Sequence, residues 1–449
     1  MFSYLPHTEQ DIAAMLQAIG LERLEELYAD VPVELRRKAP LRLEQGLPER
    51  EVSRRLRELA RQNRTECVSF LGAGSYDHLI PAVVGQVLAR SEFYTSYTPY
   101  QAEMSQGVLQ GIFEFQTMMC ELTGLEVSNA SLYDGHTAAC EAAAMALNSV
   151  RRADTILYSA ALHPFTRQVL RTHFSSLPVR LVEVPLRRGA IDRQELERRL
   201  SPGVAAVLVQ SPNFYGVVEN LEGLAERVHA NGSLLVISAN PVSLGVLKPP
   251  GQWGADIAVG DVQPLGLPPY FGGPSAGYIT AAQRLLHKMP GRIAGQSVDR
   301  QGRRAFLLTL QAREQHIKRE RATSNICSNQ ALAALAATVH LACLGPEGFR
   351  QVGLQSLAKA RYLHDRLVAQ TAARPLHEDA PFFNEFALSL PRPAAEVLPR
   401  MEEEGILAGL DLRTVEPHLP PEALLLAVTE KRSRAELDGY VEAMRRVLR

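Results

Sequence analysis

The sequence predicts an α/β protein in which helices cover both faces of a mostly parallel sheet. From Ala153 to Thr280, short apolar runs typical of buried strands alternate with helical segments. A charged helical stretch precedes this alternation, and a mixed set of helices and strands follows it. We therefore expect a helical arm over 1–62, a large α/β domain over 63–320 and a small α+β domain over 321–449.

The composition is that of a soluble globular protein with a large core. Of its 449 residues, 46% are hydrophobic and 22% are charged, and the formal net charge is −1. Such a balance gives no bulk field that would favour a nucleic acid or a membrane surface as partner. The five cysteines are scattered without a CxxC pair, which predicts reduced thiols in the cytoplasm rather than disulfides or a metal site. The sequence predicts neither a signal peptide nor an apolar run of the roughly 20 residues that span a bilayer.

The arm is predicted to consist of helices separated by turns. Thr8 followed by Asp11 is typical of an N-cap with an acidic first turn, and Gly20 ends that helix. A second short helix is predicted over Leu21–Tyr28, and a charged helix over Pro48–Gln62. Such an arm either packs on its own chain or wraps a neighbouring subunit.

A polar and aromatic loop, SYTPYQAEMSQG, covers Ser96–Gly107 and precedes a helix that Ser105 is predicted to cap and Gly124 to end. Tyrosine supplies both ring surface and a hydroxyl, so loops of this composition tend to line sites. The candidate site residues are Tyr97, Tyr100, Gln101, Glu103 and Gln106. A tyrosine-rich surface loop without a function is the alternative.

A short strand is predicted at Val127–Ser131, before the alternation, and Asp134-Gly-His-Thr137 then starts an alanine-rich helix. Backbone N–H groups at such a helix start could bind a phosphate, although strand-to-helix turns of this kind are common. Further strands are predicted at Thr155–Tyr158, Arg180–Val184, Ala205–Gln210, Leu234–Ser238, Ile257–Val259 and Gly277–Thr280, with helices at Pro164–Phe174, Asp192–Leu200 and Leu221–Ala230.

The remaining segments are predicted to be mostly helical. The Arg-rich stretch Gln296–Arg321 is predicted as a helical region, and a polar loop, Arg321–Gln330, follows it. The last predicted elements are helices at Ala331–Leu344, Gly348–Ala373, Ala394–Glu404 and Arg434–Leu448 and strands at Phe383–Leu390 and Leu424–Val428.

Four motifs, in order along the chain, resemble a single family: SYTPYQAEMSQG, ASLYDGHTAACEA, GDVQPLGLPPYFGGPSAG and TSNICSNQALAAL. The sequence is similar to glycine decarboxylase, the P-protein of the glycine cleavage system, and in particular to its first, α-type subunit in organisms that split the enzyme in two. The resemblance runs nearly end to end. It implies the type I fold of pyridoxal phosphate (PLP)-dependent transferases, as in aspartate aminotransferase, and an α2β2 assembly with a second subunit of similar fold.

The resemblance also implies the reaction of glycine dehydrogenase (aminomethyl-transferring, decarboxylating). In that family the second subunit carries PLP on a lysine near the subunit interface, glycine loses CO2 there, and the aminomethyl group passes to the lipoyl arm of the H-protein. The tyrosine-rich loop of this chain would complete the site across the interface. Candidates for lining the substrate or lipoyl path are Thr323, Ser324, Asn325 and Cys327. The alternative is that both loops only shape the subunit interface.

Two absences predict that this chain does not itself bind PLP. Enzymes of this fold attach PLP to a lysine just after the strand equivalent to Ile257–Val259, where this chain has Gln263-Pro264-Leu265 and no lysine from Gly254 to Gly277. They also place a carboxylate at the end of the preceding strand, and Asn231–Leu247 contains no Asp or Glu. We therefore expect PLP on the partner subunit and a vestigial pocket at His136, Gln263 and Pro264. His136 is more readily a packing histidine than a ring-stacking residue.

Two other functions fit the same sequence. One is a self-sufficient PLP aminotransferase or decarboxylase that uses one of the six lysines, Lys38, Lys248, Lys288, Lys318, Lys359 or Lys431. The other is a non-catalytic scaffolding or regulatory paralogue of a PLP enzyme, in which the loop residues are dispensable. Absorption in the visible PLP band by the chain alone would favour the first.

Overall fold

The structure, a computed structural model, describes residues 6–38, 43–270 and 272–449. Its contacts divide the chain into two units, Met1–Thr65 and Glu66–Arg449. Of the predicted arm, residues 1–5 and 39–42 lie outside the described residues, as does Phe271 in the loop Gly254–Gly277.

The first unit contains short helices, as the sequence predicts. Thr8 caps helix Glu9–Ala18, because its hydroxyl accepts from the Asp11 N–H and the Asp11 carboxylate accepts from the Thr8 N–H. The second predicted helix is only a 3-10 turn, Leu24–Tyr28. Helices Val33–Lys38 and Glu49–Ala60 follow.

A seven-stranded sheet forms the centre of the second unit. Its strand order is Val127–Ser128, Gly277–Ala281, Ile257–Asp261, Leu234–Ser238, Val204–Gln210, Thr155–Ser159 and Arg180–Val184. The last five strands pair in parallel, and Gly277–Ala281 is antiparallel to both of its neighbours. The predicted, mostly parallel sheet is thus confirmed.

Helices cover both faces of this sheet because neighbouring residues of each strand point to opposite sides. Val236 packs in a core with helices Gly135–Leu147 and Pro164–Phe174, whereas Ile237 packs in a second core with helices Arg193–Arg199 and Leu224–Ala230. Apolar residues on both faces give each strand its continuous hydrophobic run.

The prediction of a helical region over Gln296–Arg321 is wrong. Strands Ile293–Val298 and Arg304–Thr309 form an antiparallel hairpin that packs on helix Gln106–Thr123. Two glutamine amides of that helix stabilise the hairpin backbone: Gln106 bonds both the N–H and the C=O of Phe306, and Gln116 does the same for Ala294. Because each amide supplies one donor and one acceptor, as a neighbouring strand would, the tertiary contacts override the helical propensity of arginine and leucine.

The long helix Ala331–Gln370 merges the two predicted helices, the second of which ends at Gln370 and not at Ala373, and they join at Gly345, where φ is 61° and ψ is 176°. By length and composition alone, an 18-residue window of this helix, with a mean hydropathy of 1.3, is apolar enough to cross a membrane. Its residues Ala333 and Ala337 pack against Phe115 in the core, as in core helices of soluble proteins. Helices Ala82–Leu88 and Ser91–Tyr94 precede the tyrosine-rich loop Ser96–Gly107.

The C-terminal part is built on a four-stranded sheet in the order Arg374–Pro375, Glu385–Ser389, Ala423–Ala427 and Leu410–Asp411. Helices Ala394–Glu403 and Arg434–Leu448 accompany it. The strand Val68–Ser69 pairs in parallel with Ile406–Leu407, so the start of the second unit is joined to the C-terminal part of the chain.

Candidate functional site

A solvent-open pocket of about 670 Å³ lies at the carboxyl ends of the parallel strands. Asp261 ends one of these strands, Asn240 follows the next, and His163 follows a third. Open α/β sheets bind ligands in this position. The pocket is the place where a cofactor of this fold would be expected.

Helix Gly135–Leu147 begins at the wall of this pocket, and the N–H groups of Gly135 and Thr137 in its first turn are already bonded. Asp134 caps the helix by accepting from the Thr137 N–H at 2.8 Å. The Asp261 carboxylate accepts from the Gly135 N–H at 2.9 Å. A Cβ at residue 135 would lie 2.9 Å from the Asp261 backbone nitrogen, so only glycine allows this approach. The helix start that the sequence suggested for a phosphate therefore bonds to two carboxylates of the chain itself.

The partly buried Asp261 carboxylate has two further donors. It accepts from the Gln263 N–H at 2.8 Å and from the Ser275 hydroxyl. Burial raises the pKa of Asp261, and the hydrogen bonds from Ser275, Gly135 and Gln263 act in the opposite direction. All three donors stabilise the ionised carboxylate.

The position expected for a lysine is occupied by residues that cannot replace it. Pro264 lines the pocket, and no lysine is among the described residues around it. The Gln263 amide accepts from the Tyr76 N–H at 2.8 Å and donates to the carbonyls of Tyr76 and Leu267 at 3.0 and 2.7 Å. Gln263 thus fastens this loop to the segment around Tyr76.

The end of the preceding strand carries an amide in place of a carboxylate. Asn240 accepts from the Val242 N–H at 3.0 Å through its side-chain oxygen, and its buried Nδ2 has no hydrogen-bond partner. The position therefore offers no negative charge to a protonated ring nitrogen.

His136 lies in the pocket wall and packs on another histidine. The ring centroids of His136 and His163 are 4.6 Å apart, and His136 Nδ1 lies 2.9 Å from the Thr166 hydroxyl. His163 Nδ1 accepts from the Phe165 N–H, so Nε2 carries the proton and donates to the Ala73 carbonyl. Burial lowers the pKa of His163 to about 3, so this ring is neutral and adds no positive charge to the pocket.

A second carboxyl group, Glu385, lines the same pocket and is 4% exposed. It accepts from the Ala73 N–H at 2.6 Å and from the Tyr76 hydroxyl at 2.9 Å. Burial raises the pKa of Glu385 to about 7. Both of its oxygens are bonded within the protein.

These residues do not fit PLP. The pocket offers no amine for a covalent bond among the described residues, no carboxylate at Asn240 and no free N–H at Gly135. The Asp261 carboxylate at the helix start would also repel a phosphate. The pocket keeps the position of a cofactor site without the groups that would bind this cofactor.

The tyrosine-rich loop lies on the surface. Tyr97 and Tyr100 are 80% and 57% exposed, and Gln101 and Glu103 are exposed as well. The Tyr100 hydroxyl accepts from Arg292 NH2 at 3.0 Å, and its ring centroid is 5.3 Å from the guanidinium carbon. Of the five candidates, only Gln106 has its polar group committed to the backbone of another element.

The second loop contacts the middle of helix Gly135–Leu147 and a residue that precedes the helix. Ser324 is hydrogen-bonded to the buried Glu141, whose pKa burial raises to about 7. The Cys327 N–H donates to the Tyr133 hydroxyl at 3.4 Å. Asn325 is exposed, and Thr323 is half-buried.

The segment Pro290–Arg292 connects the two loops. Arg292 is 2% exposed and contacts Tyr100, while a Cβ at Gly291 would lie 3.3 Å from Ile326 of the second loop. The Asn129 amide donates to the Pro290 carbonyl at 3.0 Å and fixes the segment. The structure thus places both loops beside the segment that carries this buried arginine, which sequence reasoning did not single out.

Three functional candidates were missed by the sequence analysis. An acid at the end of a buried strand is a signal for Asp261, and an acid inside the apolar run FNEFALSL is one for Glu385. Nothing in the local sequence separates Arg292 from the other arginines, because its surroundings arise only in the folded chain.

Comparisons with known proteins give a consistent result. Residues 2–444 match the family model of the glycine cleavage system P-protein. Two proteins called probable glycine dehydrogenase (decarboxylating) subunit 1 are each 50% identical: the one from Carboxydothermus hydrogenoformans over 98% of this chain and 99% of its own length, and the one from Moorella thermoacetica over 99% and 100%.

The fold is also similar to solved structures. An inhibitor-bound glycine decarboxylase (P-protein) of the glycine cleavage system matches with a TM-score of 0.90 and 44% identity over 100% of both chains. An alanine–glyoxylate aminotransferase from Nostoc matches with a TM-score of 0.59 and 19% identity over 93% of this chain and all of its own, which shows the fold alone. These neighbours confirm the type I fold of PLP-dependent enzymes.

Proposed function

Because the chain belongs to the glycine cleavage system P-protein family, we propose that it is the subunit of a heteromeric glycine decarboxylase that leaves PLP to its partner. The observation that carries this proposal is the pocket at the strand ends, where Gln263-Pro264-Leu265 follows the strand in place of a lysine and the Asp261 carboxylate accepts from the Gly135 N–H at the helix start. The subunit numbering in the names of its relatives implies a partner subunit.

The complex would decarboxylate glycine and transfer the aminomethyl group to the lipoyl arm of the H-protein in the cytoplasm. PLP, bound by the second subunit in an α2β2 assembly, supplies the electron sink for decarboxylation. The division into an arm over 1–62, a large domain over 63–320 and a small domain over 321–449 belongs to the same proposal.

The contribution of this chain is to position groups at the interface. Tyr97, Tyr100, Gln101 and Glu103 have exposed side chains that a partner subunit could contact, and Asn325 in the second loop is exposed too. Gln106 acts indirectly, by fixing the hairpin that carries Arg292 and Phe306. Thr323, Ser324 and Cys327 shape the loop from which Asn325 projects.

Reconstitution tests this proposal. Purified chain, purified second subunit and their mixture are assayed for glycine–bicarbonate exchange with PLP and lipoylated H-protein. We expect exchange only in the mixture, because the chain alone lacks the groups that bind PLP. Exchange by the chain alone would instead support a self-sufficient PLP enzyme.

A scaffolding paralogue makes a different prediction in the same assay. In that case Glu103→Gln and Asn325→Ala would both keep full exchange activity in a stable complex. A loss of activity with unchanged assembly supports a role of the loops in the site.

A further inference from the structure

The first N–H group of helix Gly135–Leu147 donates a hydrogen bond to a side chain of the same chain, at a position where α/β proteins commonly bind an anionic ligand. A helix N-terminus at the ligand-binding edge of an α/β sheet is a general anion site, because its N–H groups lack partners within the helix. Here the Gly135 N–H donates to Asp261 Oδ2 at 2.9 Å.

The Asp261 carboxylate is surrounded by donors from three segments. One oxygen accepts from the helix start, and the other accepts from the Gln263 N–H at 2.8 Å and from the Ser275 hydroxyl. A backbone N–H at a helix start, a loop N–H and a serine hydroxyl together are the donor set that binds phosphate oxygens in proteins. The carboxylate takes the place that such a ligand would fill.

The pocket beyond Asp261 is polar and open to solvent. The Asn384 amide is 2% exposed and lines the pocket, and its Nδ2 has no hydrogen-bond partner, like that of Asn240. A pocket closed by apolar packing would not keep such donors. The pocket therefore fails to fit a phosphate because of a local feature, the Asp261 carboxylate at the helix start, and not because apolar side chains fill it.

We propose that Asp261 is a built-in anion that excludes phosphate-bearing ligands from this pocket. Asp261 is thus a specificity-determining residue. Its carboxylate accepts the hydrogen bond from the Gly135 N–H that a phosphate would otherwise accept, so this subunit does not bind the phosphorylated cofactor and the partner subunit does. The inference rests on the proposed function, in which the partner subunit and not this chain binds PLP, and it names the residue that prevents binding here.

Substitution of Asp261 tests the inference in the intact chain. Asp261→Ser removes the charge and vacates the space beside the Gly135 N–H, so inorganic phosphate and pyridoxine 5′-phosphate should each bind at least tenfold more tightly than to the wild type. Pyridoxine 5′-phosphate is chosen because it lacks the aldehyde that reacts with lysines. Calorimetric titration gives the affinities, and unphosphorylated pyridoxine should show no gain. Asp261→Asn, which keeps the side-chain shape, is the second variant and should gain affinity in the same direction.

The matched control is Glu385→Gln, which removes the other pocket carboxyl but leaves the bonds of Asp261 intact. It should gain no phosphate affinity. The inference is overturned if neither Asp261 variant gains affinity, if the wild type binds phosphate equally well, or if Glu385→Gln gains as much. Reconstituted exchange by the wild-type pair tests the proposed function separately, because that assay does not involve phosphate binding to this chain.

Discussion

Replacing Tyr100 with alanine is expected to lower glycine–bicarbonate exchange of the reconstituted complex about 100-fold, the usual effect of removing one well-placed active-site contact. Tyr100 is 57% exposed in the isolated chain, so its ring contributes little to folding. Its hydroxyl accepts from the buried Arg292, which fixes the direction in which the ring faces a partner. The free energy of unfolding should therefore change by no more than about 1 kcal/mol.

The control for this experiment is Tyr28→Ala, which removes a tyrosine of nearly equal exposure, 55%, from the arm. Tyr100→Phe separates the ring from the hydroxyl: a smaller loss than that of alanine would show that the ring itself contributes. Full exchange activity of Tyr100→Ala in an assembled complex would remove this loop from the site.

Glu385→Gln is expected to make the stability of the chain less sensitive to pH. Burial raises the pKa of this carboxyl from 4.5 to about 7, so the folded state prefers the protonated form. Its stabilising contribution is complete below pH 4.5 and is lost as the pH rises through 7. By linkage, the loss approaches about 3 kcal/mol at pH 9, whereas a neutral glutamine loses nothing.

Denaturation curves at pH 5 and pH 9 measure this effect. The difference in unfolding free energy, variant minus wild type, should become more positive by about 2–3 kcal/mol between the two values. In the variant the amide carbonyl can still accept from the Ala73 N–H and the amide NH2 can donate to the Tyr76 oxygen, but the Tyr76 O–H loses its acceptor. That loss does not depend on pH, so it cancels when the two pH values are compared. Equal pH dependence of the two proteins would show that Glu385 titrates as an ordinary carboxyl.

The sheet was predictable because its signals are local. Strands Arg180–Val184 and Leu234–Ser238 and helix Pro164–Phe174 were predicted to the residue, since apolar runs and a proline at the first helical turn mark their bounds. The hairpin of strands Ile293–Val298 and Arg304–Thr309 was not predictable in this way. Its backbone is stabilised by Gln106 and Gln116, which belong to a helix far away in the sequence.

The candidate site also has features that the sequence predicts and features that it does not. A missing lysine around Pro264 and a missing carboxylate at Asn240 are visible in the sequence, because each concerns one residue type at one position. The bonds that give the site its character join residues far apart: Asp261 to Gly135 across 126 residues, Arg292 to Tyr100 across 192, and Glu385 to Tyr76 across 309. Only the folded chain brings these groups together.

The location of PLP in the reconstituted complex tests the central claim most directly. Borohydride reduces the bond between PLP and its lysine to a stable amine, and peptide mass spectrometry then identifies the modified residue. We expect the pyridoxyl label on one lysine of the second subunit and on none of the six lysines of this chain. A stoichiometric label on any of these six would contradict the account.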